Sequence, residues 1–230
     1  MKIASAFAGL SAAVALTAAA LPATAQTKAN WTATVKVEAD GTHTLGNPEA
    51  KVQLSEFVSY TCSHCANFEK ASDAPLRLAY VMPGKVSVRV VHLTRDSVDL
   101  AAALLTNCGD ADGFFARHHM FLSSQDKWMA KIEKATTAQE ARWNGEDMAA
   151  SMRAIASDAG FYDMMAHRGV DRAAANRCLG DTAMARTILE QRKEAARLGV
   201  PGTPSFASEG KLLDQAYDWP SLDATLKSML

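Results

Sequence analysis

The string Cys62-Ser63-His64-Cys65 constrains this chain more than any other. It follows an apolar, strand-like run, Val52 to Tyr60, and opens a helix-like run, Ala66 to Ala74. Two cysteines at that spacing, on a strand-to-helix corner, form a dithiol suited to thiol–disulfide exchange. The same spacing also serves as half of a zinc site. A second string, Gly202-Thr203-Pro204, lies far down the chain, just before another strand-like segment. The two strings together, in this order, say more than either alone.

The start of the chain bears on the compartment. Met1 to Ala25 reads as a secretory signal peptide: Lys2 supplies the charge, Ile3 to Leu21 is apolar, and Ala23-Thr24-Ala25 is a small-residue cleavage site. The mature chain would then begin at Gln26. A transmembrane anchor is the alternative, but the run is mostly alanine and ends in Pro22. No later segment is apolar for the ~20 residues a span needs. The expectation is a soluble, exported, periplasmic protein, in a compartment where disulfides persist. Hydrophobic residues make up 48% of the chain, enough for a core, and the formal net charge is −1 with no basic run. That balance argues against a nucleic-acid partner.

A pass along the chain finds a sheet, a helical stretch and a return to the sheet. Trp31 to Glu38 alternates loosely and reads as an edge strand. Asp40-Gly41 and Gly46-Asn47-Pro48 read as turns. Val52 to Tyr60 is a buried strand, and a helix starts at or just after Cys62, with Pro75 kinking or ending its first part. Val86, Val88 and Val90 mark a second central strand. Strand signals then stop for roughly ninety residues. Helices are expected over Val98–Cys108, Phe114–Leu122, Gln125–Ala135, Gly145–Ala159, Asp171–Leu179 and Asp181–Leu198. A hairpin through Glu209-Gly210 and a helix from Pro220 to Leu230 close the chain.

The segment Glu56-Phe57-Val58-Ser59-Tyr60-Thr61-Cys62-Ser63-His64-Cys65-Ala66-Asn67-Phe68-Glu69 resembles the active-site segment of the DsbA-type periplasmic thiol:disulfide oxidoreductases. So does Leu198-Gly199-Val200-Pro201-Gly202-Thr203-Pro204-Ser205-Phe206. The resemblance implies an α/β thioredoxin fold with an inserted all-helical domain. On that basis the domains run 26–96 (first thioredoxin-like part), 97–185 (helical insert) and 186–230 (second part). It implies oxidation of cysteines in unfolded or newly exported proteins, with no cofactor beyond the Cys62–Cys65 disulfide. It also implies reoxidation by a membrane quinone-coupled partner, and a monomer. The family's usual central dipeptide is Pro-His; here it is Ser63-His64, which bears on the redox potential. Two alternatives stay open: an isomerase or reductase on the same fold, and a copper- or zinc-holding protein that uses the CxxC without turnover.

The chemistry expected of the site follows from position. Cys62 at a helix N-terminus faces unpaired N–H groups and the positive end of the dipole. Thiols so placed fall to about 3.5–7.5, a range whose acidic end is set by a member of the family this chain resembles. His64 adds a nearby cation or donor. A thiolate that exists only in the reduced state favours that state and makes the disulfide an oxidant. Cys65, one turn inward, closes the disulfide. Glu56 is either a buried carboxylate that handles the Cys65 proton or a surface acid on a sheet edge. A cis Pro204 would let Thr203 pair with an extended substrate chain; Val-Pro-Gly-Thr-Pro also permits a plain loop. Of the three pairings that four cysteines allow, a Cys62–Cys65 bond leaves Cys108–Cys178, a structural disulfide unless both are free thiols. His118 and His119 point to different faces of a helix and read as solvated or capping. The methionines read as core filler, with no metal site.

Overall fold

Valines at alternate positions build the two central strands. β3 (Val52–Val58) and β4 (Val86–His92) pair in parallel with Leu54 opposite Val88 and Glu56 opposite Val90. Between them runs α1 (Ser63–Leu76), which passes through Pro75 and widens into a π-helical turn, Arg77–Val81. Proline removes an N–H from the ladder, which suits a helix about to end. β1 (Val35–Val37) and β2 (His43–Leu45) add antiparallel beside β4. β5 (Ser205–Ser208) and β6 (Lys211–Leu212) add antiparallel beside β3. The sheet order is β1-β2-β4-β3-β5-β6. The computed structural model describes residues 29–230 and Met1, so the signal peptide expected over 1–25 lies outside the described stretch. Among the described residues no helix is long and apolar enough to cross a membrane.

The period of two sorts each strand between two cores. Val52, Leu54 and Val58 of β3, Val86, Val88 and Val90 of β4, and Phe206 of β5 join the large core beneath α1. Phe57, Val91 and Ala207 point the other way and meet Ala195. Glu56 shares the parity of Leu54 and Val58, so β3 carries a carboxyl into the large core.

The helical stretch stands between β4 and β5. It comprises α2 (Ser97–Thr106), α3 (Phe114–Ser123), α4 (Gln125–Ile132), α5 (Thr137–Trp143), α6 (Met148–Ala159), α7 (Phe161–Ala166), α8 (Arg172–Leu179), α9 (Thr182–Glu190) and α10 (Arg192–Leu198), and α11 (Trp219–Met229) ends the chain. Trp128, Phe161 and Phe121 form its centre through edge-on ring contacts. The sulfurs of Cys108 and Cys178 are bonded and join the end of α2 to α8. Met152 and Met165 are buried, and Met120, Met129, Met148 and Met164 pack against the core, as expected of filler. The architecture is a thioredoxin fold carrying an inserted helical domain.

Several elements differ from expectation. The first segment opens as a 3-10 turn, Trp31–Ala33, before β1. β2 lies between two turns and has three residues, too few to show alternation. The helix expected over Asp181–Leu198 is two, broken at Gln191, whose buried side-chain oxygen accepts the His92 N–H at 2.7 Å. Gly199, at φ +67° with open space around it, ends α10 in the left-handed region and releases the chain toward Pro204.

Candidate active site

Cys62 is the N-cap of α1, in extended conformation at φ −90° and ψ 116°. Its sulfur stands over the first turn of that helix. Cys62 retains 5% of its surface and Cys65 none. Both cysteines are free thiols in this structure. The outer sulfur is therefore more enclosed than its place in the sequence implies, and the chain that encloses it is the Thr203–Pro204 loop. That peptide bond is cis. The Cys62 thiol donates to the carbonyl oxygen of Thr203 at 3.1 Å.

The two thiols differ sharply in acidity. A hydrogen bond from the Cys65 thiol is the largest influence on Cys62, and it outweighs the opposing effect of burial. The Thr203 side chain and the N–H groups of Cys65 and His64 add to it. Together they bring Cys62 down to about 4. Burial pushes Cys65 well above the ordinary thiol value, and the neighbouring Cys62 pushes it further. Thr203 acts with two signs: its carbonyl favours the Cys62 thiol and its hydroxyl favours the thiolate. The ring of His64 is exposed, so the contact this residue makes with Cys62 is through its N–H.

Glu56 is 3% exposed and sits in the large core between Val90 and Phe206. The surface reading is thus excluded, because β3 is an inner strand. Among the described residues its Oε1 has no hydrogen-bond partner. Burial, then the Glu69 charge, raise its carboxyl to about 8. Glu56 lines a small, partly open cavity with Phe68, Glu69, Ser72 and His118. The expectation for His118 is corrected here: it is 3% exposed, with Nδ1 3.0 Å from the Tyr60 hydroxyl. Phe114 and Phe115 on the same helix draw that face inward, so the ring follows them. His119, half-buried, meets Glu69 at 2.8 Å; that hydrogen bond, more than the Glu69 and Asp73 charges, raises it above the usual histidine value against the effect of burial.

Sequence reasoning missed the residues that hold the corner itself. Buried Asp99 on α2 accepts the Ser59 hydroxyl at 2.5 Å, the Tyr60 N–H at 2.7 Å and the Arg95 N–H at 3.0 Å. Burial raises its carboxyl to about 6, against those hydrogen bonds. Gln125 on α4 donates to the carbonyls of Tyr60 and Cys62 at 2.6 and 2.9 Å. Each is one polar residue among several at the start of its helix, and only the fold brings it to the dithiol. On the far side of the cis bond, Thr203, Pro204, Leu213, Ala216 and the exposed Tyr217 help line an open pocket of about 280 Å³.

A family model described as thioredoxin matches residues 38–228. The crystal structure of a protein-disulfide isomerase from Novosphingobium aromaticivorans is 44% identical, covers 83% of this chain and 98% of its own, and superposes with a TM-score of 0.79. Wolbachia pipientis alpha-DsbA1, at 20% identity and a TM-score of 0.62, covers 81% of this chain and 89% of its own, and shares the fold. A curated Rickettsia bellii relative, provisionally named a protein-disulfide oxidoreductase, is 33% identical over 85 residues, or 36% of this chain. That match spans about a third of the relative's own length. With a dithiol at the first helix and a helical domain set between its parallel and antiparallel strands, this chain belongs to the thioredoxin family.

Proposed function

We propose that this protein is a dithiol oxidase that introduces disulfides into exported proteins through Cys62 and Cys65. The observation that carries this is the split in acidity between the two sulfurs. At pH 7 the ~3 units between the Cys62 value and the pH stabilise the thiolate by about 4 kcal/mol. Screening at the mouth of the site reduces that to about 3 kcal/mol, or roughly 60 mV of added oxidising power. All of it favours the reduced protein.

The proposed reaction has two exchange steps. A substrate thiolate attacks Cys62 Sγ of the Cys62–Cys65 disulfide, forming a mixed disulfide and releasing Cys65 as a thiolate. Cys65 is sealed from water, so it takes a proton from within. Glu56, protonated below about 8 and facing the same core, supplies it. A second substrate thiolate then attacks the substrate sulfur, and Cys62 leaves as a stable thiolate. The substrate chain runs extended past Thr203, with a side chain in the pocket beside Tyr217. The resemblance to DsbA-type proteins supports a periplasmic location after removal of residues 1–25, and return of the electrons to a membrane quinone-coupled partner.

Isomerisation is the second reading, favoured by the name of the 44% identical relative. The same acidic Cys62 would attack a mispaired disulfide from the reduced state. One comparison separates the two: the oxidised protein is given a reduced, unfolded multi-cysteine protein, and the reduced protein is given the same substrate with scrambled disulfides. Rapid disulfide formation in the first arm with little repair in the second supports oxidation. The reverse pattern overturns it.

A further inference from the structure

Tyr60 precedes the dithiol by two residues, yet three helices of the insert hold it. Its N–H goes to Asp99 on α2, its hydroxyl meets His118 on α3, and its carbonyl accepts from Gln125 on α4. The same Gln125 nitrogen donates to the carbonyl of Cys62. Gln125 is 6% exposed, so these bonds face no competition from bulk water. A carboxamide nitrogen carries two N–H groups, and here both go to the redox corner. The Cys62 carbonyl also accepts the Ala66 N–H at 3.2 Å, the first bond of α1. Fixing that carbonyl fixes ψ of Cys62, and so where its sulfur stands relative to the N–H groups of His64 and Cys65.

We propose that Gln125 is a positioning residue, through which the helical insert holds Cys62 over the N-terminus of α1. The inference rests on the redox reading of Cys62 given above. Removing both donors leaves two buried carbonyls without this partner. The loop then turns to satisfy them, and the sulfur loses its alignment with the helix end. A residue that merely filled space would, when changed, lower stability and leave Cys62 as acidic as before.

The test uses the whole mature chain with Cys108–Cys178 intact. Gln125→Met keeps the length of the side chain and removes both donors. Gln125→Asn keeps the carboxamide but withdraws it by one methylene, and serves if the first variant does not fold. Thiolate absorbance is followed against pH in each, beside the melting temperature. The expected result is a rise of about one unit in the Cys62 midpoint, with about a tenfold shift of the glutathione equilibrium toward the oxidised protein. A lowered melting temperature with the midpoint unchanged, within about 0.2 units, overturns the proposal. The wild-type curve separates the two failures. An ordinary thiol midpoint there defeats the redox reading itself, whereas an acidic wild type with unmoved variants defeats only the role of Gln125.

Discussion

Cys62 and Cys65 lie one helical turn apart and differ in acidity because one stands at the end of α1 and the other inside the core. Cys62→Ser should therefore abolish dithiol oxidation, whereas Cys65→Ser should accumulate mixed disulfides visible by mass spectrometry. In the reduced wild type, Cys62 should alkylate far faster than Cys65; equal rates would contradict the assignment. His64 is a finer case. The sequence points to its ring, while the structure shows its N–H toward the sulfur and the ring exposed. His64→Ala keeps the N–H, so the Cys62 midpoint should rise by at most about one unit rather than two. A larger rise would assign the main effect to the imidazole. The cysteines and Pro204 were legible because their spacing and order carry meaning in one dimension. Gln125 and Asp99 were not, because a polar residue in a helix looks alike whether it meets water or a loop sixty residues away.

At the scale of elements, β3, β4 and α1 could be read from valine alternation and from the break at Cys62. β2, α5 and α7 could not, since three to seven residues hold less than two periods of any pattern. The break at Gln191 falls where its side chain accepts the His92 N–H, a tertiary contact that no local pattern shows. The Cys108–Cys178 bond joins α2 to α8 across a separation of 70 residues. Replacing both by Ala should lower stability by about 2–5 kcal/mol in denaturant titration. Oxidase activity well below the melting point should survive; its loss there would show that the bond serves the site directly.

The seam between sheet and insert also carries a pH dependence. His43 of β2 stacks on Phe114 of α3 at 3.9 Å, and His92 of β4 and His118 of α3 pack against the same ring. Burial is the main cause in each, holding His43 at about 4, His92 at about 3 and His118 below the usual value. Arg117 adds to this at His43, and His118 and His43 add to it at His92; at His118 Glu69 and Asp73 oppose it, while Arg77 and His119 add to it. In the unfolded chain these rings take up protons near 6.5, so their neutral burial costs nothing above that pH. Stability is lost as the pH falls from about 6.5 toward 3–4. Acid denaturation should accordingly take up protons in that window, and His92→Asn should flatten the fall. An unchanged pH profile in the variant would place the acid sensitivity elsewhere.

At the scale of the whole molecule, the account makes the reduced protein the more stable one. Folded Cys62 ionises near 4 and an unfolded thiol near 8.5. The stabilisation is thus fully present above the unfolded value, declines as the pH falls between the two, and is gone below the folded value. The disulfide form has no thiolate and gains none of it. Closing Cys62–Cys65 also shortens the unfolded chain's freedom, but over a loop of only a few residues, where that gain is smallest. The most direct measurement is the melting temperature of the protein reduced and oxidised at Cys62–Cys65 alone, with Cys108–Cys178 kept intact, from pH 4 to pH 8. The account predicts a reduced form that melts higher at pH 8, by an amount that shrinks steadily toward pH 4. An oxidised form that melts higher at neutral pH would make this dithiol a reductant and contradict the central claim.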